Sequence, residues 1–313
     1  MATKYPIILV HGIMLKDIWR FKAFGNIERI LKSQGNLTFT ANHDGLGTIE
    51  SNAAQLKEYI NEIAEKHNAP RVNIIAHSKG GLDILYMIDR LGMADKVASV
   101  TFLCTPHKGS VIAEKLYGLP RVIRSPLVFF LNTAYRVFGD KSPNALEVCR
   151  QLRSNPHGVL DLERGHIKID LGKDRHADIK PDAEACFGGE CKTKSELSEI
   201  SGGSKSESQN TSQAENSPHP YAVFMQSFSS TLKRSRDDFL MGIPLYFSRK
   251  YEALESDGMV SVESSKFALY RGSCTDASVS HSEIVDLLAK KSKKEKIYTF
   301  YLTLAQELEE MGF

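Results

Sequence analysis

Between Tyr5 and Cys104 the chain alternates short apolar runs with amphipathic segments, and no other feature of the sequence constrains the fold as much. This pattern predicts strands over 5–10, 37–40 and 72–76, another strand from Val97, and helices over 21–33, 51–67 and 82–91. The strand segments are apolar runs rather than alternating ones, so both faces of the sheet should be covered. The sequence therefore predicts an α/β fold in which a mostly parallel sheet carries helices on both faces.

The stretch VNIIAHSKGGLDILYMI, which begins at Val72, places Ser78 at the turn between a strand and a helix. Ala76 and Gly80 lie two residues to either side and are small enough for the close backbone approach that so sharp a turn requires. Such a turn lifts the serine hydroxyl above the sheet edge and aims the first helical N–H groups at whatever it attacks. The pattern predicts a nucleophilic serine, and an ordinary strand-to-helix loop is the alternative.

A serine that is to be acylated needs a base, and the base needs an acid that orients it. Of the ten histidines, His281 alone lies late in the chain, in a loop that enters a helix after the last strand-like run. Asp257, followed by Gly258, is the candidate acid, and we expect it at the end of the preceding strand. A plain Asp-Gly turn is the alternative for this pair. Together with Ser78 they give the order serine, acid, histidine.

Two backbone N–H groups should stabilise the oxyanion that forms when the serine attacks. The residue after the serine, Lys79, would supply one of them. The other would come from Ile13, in the loop after the first strand, where Gly12 lets the backbone turn. His11 is expected to fix this loop rather than to act as a second base.

The regular alternation stops after Ser110. We expect one domain over 1–313 with an inserted cap or lid over 111–220, in which the polar stretch 188–218 forms a flexible loop. The amphipathic segment 125–139 is either a helix packed into the body or a mobile cover whose apolar face, including Phe130 and Leu131, meets lipid. We predict that the basic cluster over 290–296 forms a solvated face. A helix is predicted over 298–311.

Composition excludes several classes of protein. A net charge of +2 gives no bulk attraction to nucleic acid or to an anionic membrane. No apolar run approaches the roughly 20 residues that cross a bilayer. The N-terminus lacks a signal-peptide pattern, which favours the cytoplasm unless the sequence is that of a secreted mature form. Among five cysteines, Cys104 is expected to be a buried thiol, and Cys186 and Cys191 to be either free or joined in a small loop.

Five motifs in order, KYPIILVHGI, VNIIAHSKGG, VASVTFLCTPHKGS, SDGMVSVESS and HSEIVD, resemble those of the bacterial true lipases of the α/β-hydrolase superfamily. Within that group the sequence is most similar to leaderless triacylglycerol lipases of Proteus-like and Firmicutes type. The resemblance covers 1–115 and 237–290. It implies an α/β-hydrolase fold and supports Ser78, Asp257 and His281 as nucleophile, acid and base, with Ile13 and Lys79 as oxyanion donors.

The resemblance also implies a structural calcium ion near the histidine, although the chemistry itself needs no cofactor. Its ligands would be Glu283 and either Asp237 or Asp238, and solvated surface acids are the alternative. The chain departs from the family at Ala76, where glycine is usual, and at Ser256, where asparagine usually precedes the acid.

The predicted function is hydrolysis of carboxylic esters, above all acylglycerols. The expected partners are a lipid or small ester substrate and a transient contact with a lipid surface, without nucleic acid; the oligomeric state stays open. A short-chain carboxylesterase, a thioesterase or an acyltransferase is the alternative among enzymes. A non-catalytic α/β-hydrolase scaffold, which recruits a partner through the 188–218 loop, is the alternative from another class.

Overall fold

The structure is a computed structural model that describes residues 2–13, 16–17, 22–153, 168–170, 222–238, 240–252 and 254–313. The predicted flexible loop over 188–218 lies outside the described residues, as do Cys186 and Cys191. The predicted cap over 111–220 is described over 111–153 and 168–170.

Seven strands of the described residues form one sheet. They are β1 (Ile7–Val10), β2 (Thr38–Thr40), β3 (Val72–His77), β4 (Val97–Leu103), β5 (Lys168–Asp170), β6 (Ala222–Ser229) and β7 (Leu269–Ser273). The strand order is β2-β1-β3-β4-β6-β5, and β7 also pairs with β6. Every ladder between these strands is parallel, so the predicted mostly parallel sheet is confirmed.

Helices cover both faces of this sheet. They are α1 (Ile27–Ser33), α2 (Ile49–Lys66), α3 (Lys79–Arg90), α4 (Val111–Tyr117), α5 (Arg121–Val137), α6 (Ala145–Gln151), α7 (Gly242–Glu252), α8 (Val262–Ser265) and α9 (Lys291–Glu310). Side chains of α2 and α3 pack with Ile8 and Val10 on one face, and those of α1 and α9 pack with Ile7 and Leu9 on the other. Successive strand residues point to opposite faces, which explains why β1 is apolar at all four of its positions.

Three of the predicted helix starts in the first half are wrong, and the first of them is that of α1, which begins at Ile27 rather than at residue 21. Thr48 precedes α2 in an extended conformation, and its hydroxyl oxygen accepts a hydrogen bond from the N–H of Ser51 at 3.3 Å. The predicted cap Ser51 therefore lies inside the first turn, because a threonine three residues earlier satisfies the free N–H. Helix α3 begins at Lys79 rather than at residue 82, directly after Ser78.

The C-terminal helix begins seven residues earlier than the predicted position 298, at Lys291, so the basic cluster is helical. Three of its lysines form ion pairs, Lys293 with Glu283, Lys294 with Asp286 and Lys296 with Asp276, at 2.5, 2.7 and 2.8 Å. Most of the cluster is exposed, so the predicted solvated face is confirmed, and acids that precede α9 pair with three of its lysines.

Helix α5 covers most of the segment in which a cap helix was predicted. Its residues Val128, Leu131 and Tyr135 pack partly against the core, whereas Phe129 and Phe130 are 74% and 67% exposed. Leu131 therefore faces the body of the protein, contrary to its predicted place on the lipid-facing side. No α5 residue is buried, so the helix lies on the surface with an uncovered apolar face.

Candidate active site

Ser78 directly follows β3 and has an unusual backbone, with φ at +56° and ψ at −135°. Its N–H donates to the carbonyl oxygen of Leu103 at 2.9 Å, which ties the turn to the end of β4. A Cβ added at Gly80 would lie 2.3 Å from the carbonyl oxygen of His11, and one at Gly81 would lie 2.2 Å from the hydroxyl of Thr105. The turn can form only because these positions lack side chains.

His281 lies between Ser78 and Asp257 and contacts both. Its Nδ1 is 2.6 Å from Oδ2 of Asp257, and its Nε2 is 2.8 Å from Oγ of Ser78. The N–H of His281 also donates to the carbonyl oxygen of Asp257 at 3.0 Å. Because an ionised carboxylate only accepts hydrogen bonds, the ring proton is on Nδ1 and Nε2 is left to accept from the serine hydroxyl. The structure thus brings the three predicted residues into one hydrogen-bonded series, all of them buried.

The carboxylate of Asp257 is fixed on its other side by backbone N–H groups. Its Oδ1 accepts from the N–H of Met259 at 2.9 Å and from that of Val260 at 2.8 Å, and Gly258, which directly follows the acid, has φ at +112°. Asp257 follows α7 and does not end a strand, contrary to the prediction. The Asp-Gly turn and the oriented acid, which the sequence offered as alternatives, are the same feature: the turn aims one oxygen at His281 and holds the other.

Ser256 occupies the position before the acid at which the resemblance implies asparagine. Its hydroxyl donates to the carbonyl oxygen of Val260 at 3.1 Å and accepts from the N–H of Gly258 at 3.0 Å. A serine can therefore close the turn that presents Asp257, because its hydroxyl both donates and accepts.

The loop after β1 lies directly against the serine. A Cβ at Gly12 would lie 2.6 Å from Cβ of Ser78 and 2.9 Å from the backbone nitrogen of Lys79. Gly12 is followed by Ile13, whose side chain is on the surface, and Lys79 begins α3. Nδ1 of His11 donates to the carbonyl oxygen of Gly12 at 2.9 Å, and burial lowers the pKa of His11 to about 4. These contacts agree with a neutral His11 that shapes the loop.

The three acids predicted to bind calcium are held by protein groups. Glu283 is buried, and its Oε2 accepts from Nζ of Lys293 at 2.5 Å and from the N–H of Ser280 at 3.0 Å. Asp238 accepts from the hydroxyls of Ser280 and Ser282 and from two backbone N–H groups. Asp237 pairs with a neighbouring arginine. With a lysine ammonium already on Glu283, this donor set does not fit a calcium ion. The alternative of solvated surface acids is also wrong for Glu283.

Cys104 is a further buried group beside the series. Its sulfur and the ligand atoms of Asp257 and His281 lie within 4.8 Å of one another. A hydrogen bond to Cys274, together with burial, raises the pKa of the Cys104 thiol well above its usual value, so the thiol is neutral. Because the thiol keeps its proton and Asp257 and His281 bond each other, the group does not fit a metal ion. The predicted buried thiol is confirmed, but its position beside the acid had no signal in the sequence.

The side chains of Lys79 and Asp83 form an ion pair beneath the turn that sequence reasoning missed. Nζ of Lys79 lies 2.7 Å from Oδ1 of Asp83, and both side chains are almost fully buried. His43 lies close by, with its Nε2 3.9 Å from Oδ2 of Asp83. The spacing of Lys79 and Asp83 by four residues in an otherwise apolar helix was the available signal, whereas nothing pointed to His43.

The chain is similar in sequence to known lipases over part of its length. No family model matches the chain. It is 36% identical over 124 residues to a triacylglycerol lipase of Pseudarthrobacter phenanthrenivorans, a match that covers 36% of each chain. It is 32% identical over 137 residues to triacylglycerol lipase 2 of Saccharomyces cerevisiae, covering 39% of this chain and 42% of that protein. The matches therefore span about a third to two fifths of these relatives.

Solved structures match over nearly the whole chain at low sequence identity. A Staphylococcus hyicus lipase superposes with a TM-score of 0.57 at 14% identity, covering 99% of this chain and 96% of that one. A Bacillus licheniformis lipase in its mature form superposes with a TM-score of 0.53 at 16% identity, covering 98% and 93%. In the part that the structure describes, no helix is both long and apolar enough to cross a bilayer. The chain has the α/β-hydrolase fold, and its predicted resemblance to the bacterial lipases is confirmed.

Proposed function

We propose that the chain hydrolyses carboxylic esters through an acyl-enzyme formed on Ser78. The observation that carries this proposal is the pair of hydrogen bonds at 2.8 and 2.6 Å that links Ser78, His281 and Asp257. Nε2 of His281 takes the hydroxyl proton while Oγ attacks the ester carbonyl, and Asp257 stabilises the imidazolium. His281 then protonates the leaving alkoxide, and a water molecule, activated by the same base, releases the acid.

The developing oxyanion would be held by the backbone N–H groups of Lys79 and Ile13. Lys79 is the first residue of α3, where a backbone N–H has no partner within the helix and is available to an oxyanion. Gly12 packs against Ser78, so the peptide that follows it is close to the serine oxygen. Removing one such donor typically lowers kcat by about 100- to 1000-fold.

The substrate class we propose is acylglycerols presented at a lipid surface. The relatives that share sequence with this chain are named triacylglycerol lipases. Helix α5 supports the same class because Val122, Phe129, Phe130 and Val137 are each more than half exposed. An apolar face of this kind is unfavourable in water and favourable against oil. We therefore place a transient lipid contact on α5.

The reaction is tested with Ser78→Ala and a fluorophosphonate that labels activated serines. We expect the variant to fold, to lose labelling and to lose ester turnover by several powers of ten, about a million-fold when no other group replaces the nucleophile. Ser33→Ala, an exposed serine in α1, is the matched control and should keep full activity. If the Ser78→Ala protein is still labelled, or keeps a few per cent of the activity of the original protein, another residue is the nucleophile.

The substrate class is tested by replacing Phe129 and Phe130 with serine together. Turnover of an emulsified long-chain triacylglycerol should fall, while turnover of a dissolved p-nitrophenyl butyrate should stay the same, because only the emulsion requires the lipid contact. Leu37→Ser removes another exposed apolar side chain, at the start of β2, and serves as the control. Equal losses on both substrates, or none on either, would favour a short-chain carboxylesterase.

A further inference from the structure

A buried polar group lies beneath the turn that carries the nucleophile. Lys79 bonds both carboxylate oxygens of Asp83, at 2.7 and 2.9 Å. The side-chain amide of Asn52, on α2, donates to Oδ2 of Asp83 at 3.0 Å and to the backbone carbonyl of Asp44 at 2.8 Å. Together these contacts hold the carboxylate of Asp83 at the boundary between α2, α3 and the loop after β2.

His43, in that loop, connects this group to the strand that precedes the oxyanion loop. Its Nε2 donates to the carbonyl oxygen of His11 at 3.0 Å, and the two rings stack with their centres 4.1 Å apart. Burial lowers the pKa of His43 well below its usual value, so the ring is neutral and has a single N–H. Since a carbonyl oxygen can only accept, that proton is on Nε2. The carboxylate of Asp83, 3.9 Å from Nε2, favours this tautomer.

The carbonyl group that His43 holds belongs to the peptide between His11 and Gly12. A Cβ at Gly80 would come within 2.3 Å of this same oxygen, so α3 packs directly against it. Gly12 in turn lies against the backbone nitrogen of Lys79. The two backbone segments that carry the proposed oxyanion donors therefore touch without an intervening side chain, and a rotation of the His11 peptide would move Gly12 and Ile13.

We propose that His43 is a positioning residue for the oxyanion hole, in which its Nε2–H fixes the His11 carbonyl and thereby the direction of the Ile13 N–H. The inference rests on the proposed ester hydrolysis. The interactions that join His43 to the site are its hydrogen bond to the His11 carbonyl and its stacking on the His11 ring, so it acts through the segment it holds. The pair of Lys79 and Asp83 supports it by favouring the donor tautomer.

Two substitutions of similar polarity separate this role from simple packing. In His43→Gln the side-chain amide nitrogen reaches about as far as Nε2 and can still donate to the His11 carbonyl. In His43→Asn the amide is one methylene shorter and cannot reach it. His107→Leu is the control for loss of a buried histidine, because His107 stacks on Phe267 and neither of its ring nitrogens has a hydrogen-bond partner.

The readouts are kcat, KM and the inhibition constant of an alkylboronic acid, which forms a tetrahedral adduct with the serine oxygen and so resembles the oxyanion intermediate. We expect His43→Asn to lower kcat by about 10- to 100-fold with KM little changed, a part of the loss seen when a donor is removed outright. Affinity for the boronic acid should fall by a similar factor, since both depend on the tetrahedral state. His43→Gln should restore most of both, and His107→Leu should change neither.

The inference is wrong if His43→Asn and His43→Gln have the same kcat and the same affinity for the boronic acid. It is also wrong if His43→Asn has a lower kcat but an unchanged affinity for the boronic acid. If His43→Asn fails to fold, His43→Gln decides alone: it must keep kcat and boronic acid affinity within about threefold of the original protein, because a retained hydrogen bond leaves the donor in place. An original protein that hydrolyses no ester overturns the proposed function itself, whereas an active protein with indistinguishable variants overturns only the role of His43.

Discussion

Replacing Lys79 with methionine should destabilise the fold strongly, because it leaves Asp83 charged and buried. Burial already raises the pKa of Asp83 from 3.8 to about 6 despite the lysine, and at neutral pH a shift of this size corresponds to about 3 kcal/mol of unfavourable free energy. Lys79 lowers that pKa, so its loss raises the pKa further. Breaking one partner of a buried pair typically costs about 3–5 kcal/mol, and we expect Lys79→Met to fall in this range at pH 8.

The sign of the pH dependence follows from the raised pKa. The folded protein takes up a proton on Asp83 at a higher pH than the unfolded chain does, so folding is favoured as the pH falls from about 6 toward 3.8. In Lys79→Met the pKa of Asp83 is higher, so the gain in stability on lowering the pH begins at a higher pH. The loss of stability in the variant should therefore be smaller at pH 5 than at pH 8, by at least about 1 kcal/mol.

The assay is urea unfolding of the original protein, Lys79→Met and the double variant Lys79→Met/Asp83→Leu at both pH values. The double variant should lie within about 1–2 kcal/mol of the original protein, because no charge stays buried alone. Asn52 still donates to the carbonyl oxygen of Asp44 in the double variant. A single variant that loses less than about 1 kcal/mol at pH 8, or an equal loss at both pH values, would refute the reasoning.

Three further predictions concern the site. Asp257→Asn should lower kcat by about 10,000-fold, because the amide favours the wrong histidine tautomer, and a loss of less than about tenfold in a kinetic assay would contradict its role as the acid. Chelation of calcium with EGTA should leave both activity and the melting temperature unchanged, because Lys293 already occupies the acceptor oxygen of Glu283; a chelator-induced fall in either would show that calcium binds. Gly12→Ala should abolish ester turnover in a folded protein, because its methyl group would lie 2.6 Å from Cβ of Ser78; normal kcat would mean that the loop is free to move.

The sheet and the strand-to-helix turn could be predicted because their signals are local. Apolar runs such as Ile7–Val10 can be buried only if both faces of the sheet are covered, and small residues must flank a turn as sharp as that at Ser78. The series of Ser78, Asp257 and His281 could also be predicted as a set, since the fold expected from the sequence restricts the chain order of nucleophile, acid and base. The strand end expected for Asp257 was wrong, because a tight turn after a helix presents a carboxylate equally well.

The support beneath the site could not be predicted, because it depends on contacts between elements far apart in sequence. His43 contacts the backbone of His11 only after β2 pairs with β1, and nothing in its local sequence marks it. The partners of Glu283 could not be predicted for a related reason: the family resemblance implied a calcium ligand, and only the fold brings Lys293, in the first turn of α9, to this carboxylate. The local sequence shows which side chains are polar or charged. Only the folded structure shows which groups pair with them.

Strand order in the sheet has a consequence for how the chain can tolerate insertions. Along the chain, a long segment follows Leu103. Ser78, β3 and β4 come before this segment, and β6, Asp257 and His281 come after it. Closing a flexible loop becomes less favourable only with the logarithm of its length, by about 0.6 kcal/mol for each doubling. Because β4 and β6 are adjacent in the sheet, their pairing fixes the ends of that segment whatever its length. We therefore expect insertions in the parts of this segment that add no core residue to have little effect on the free energy of folding, and to change what covers the site without displacing the acid and the base from the serine.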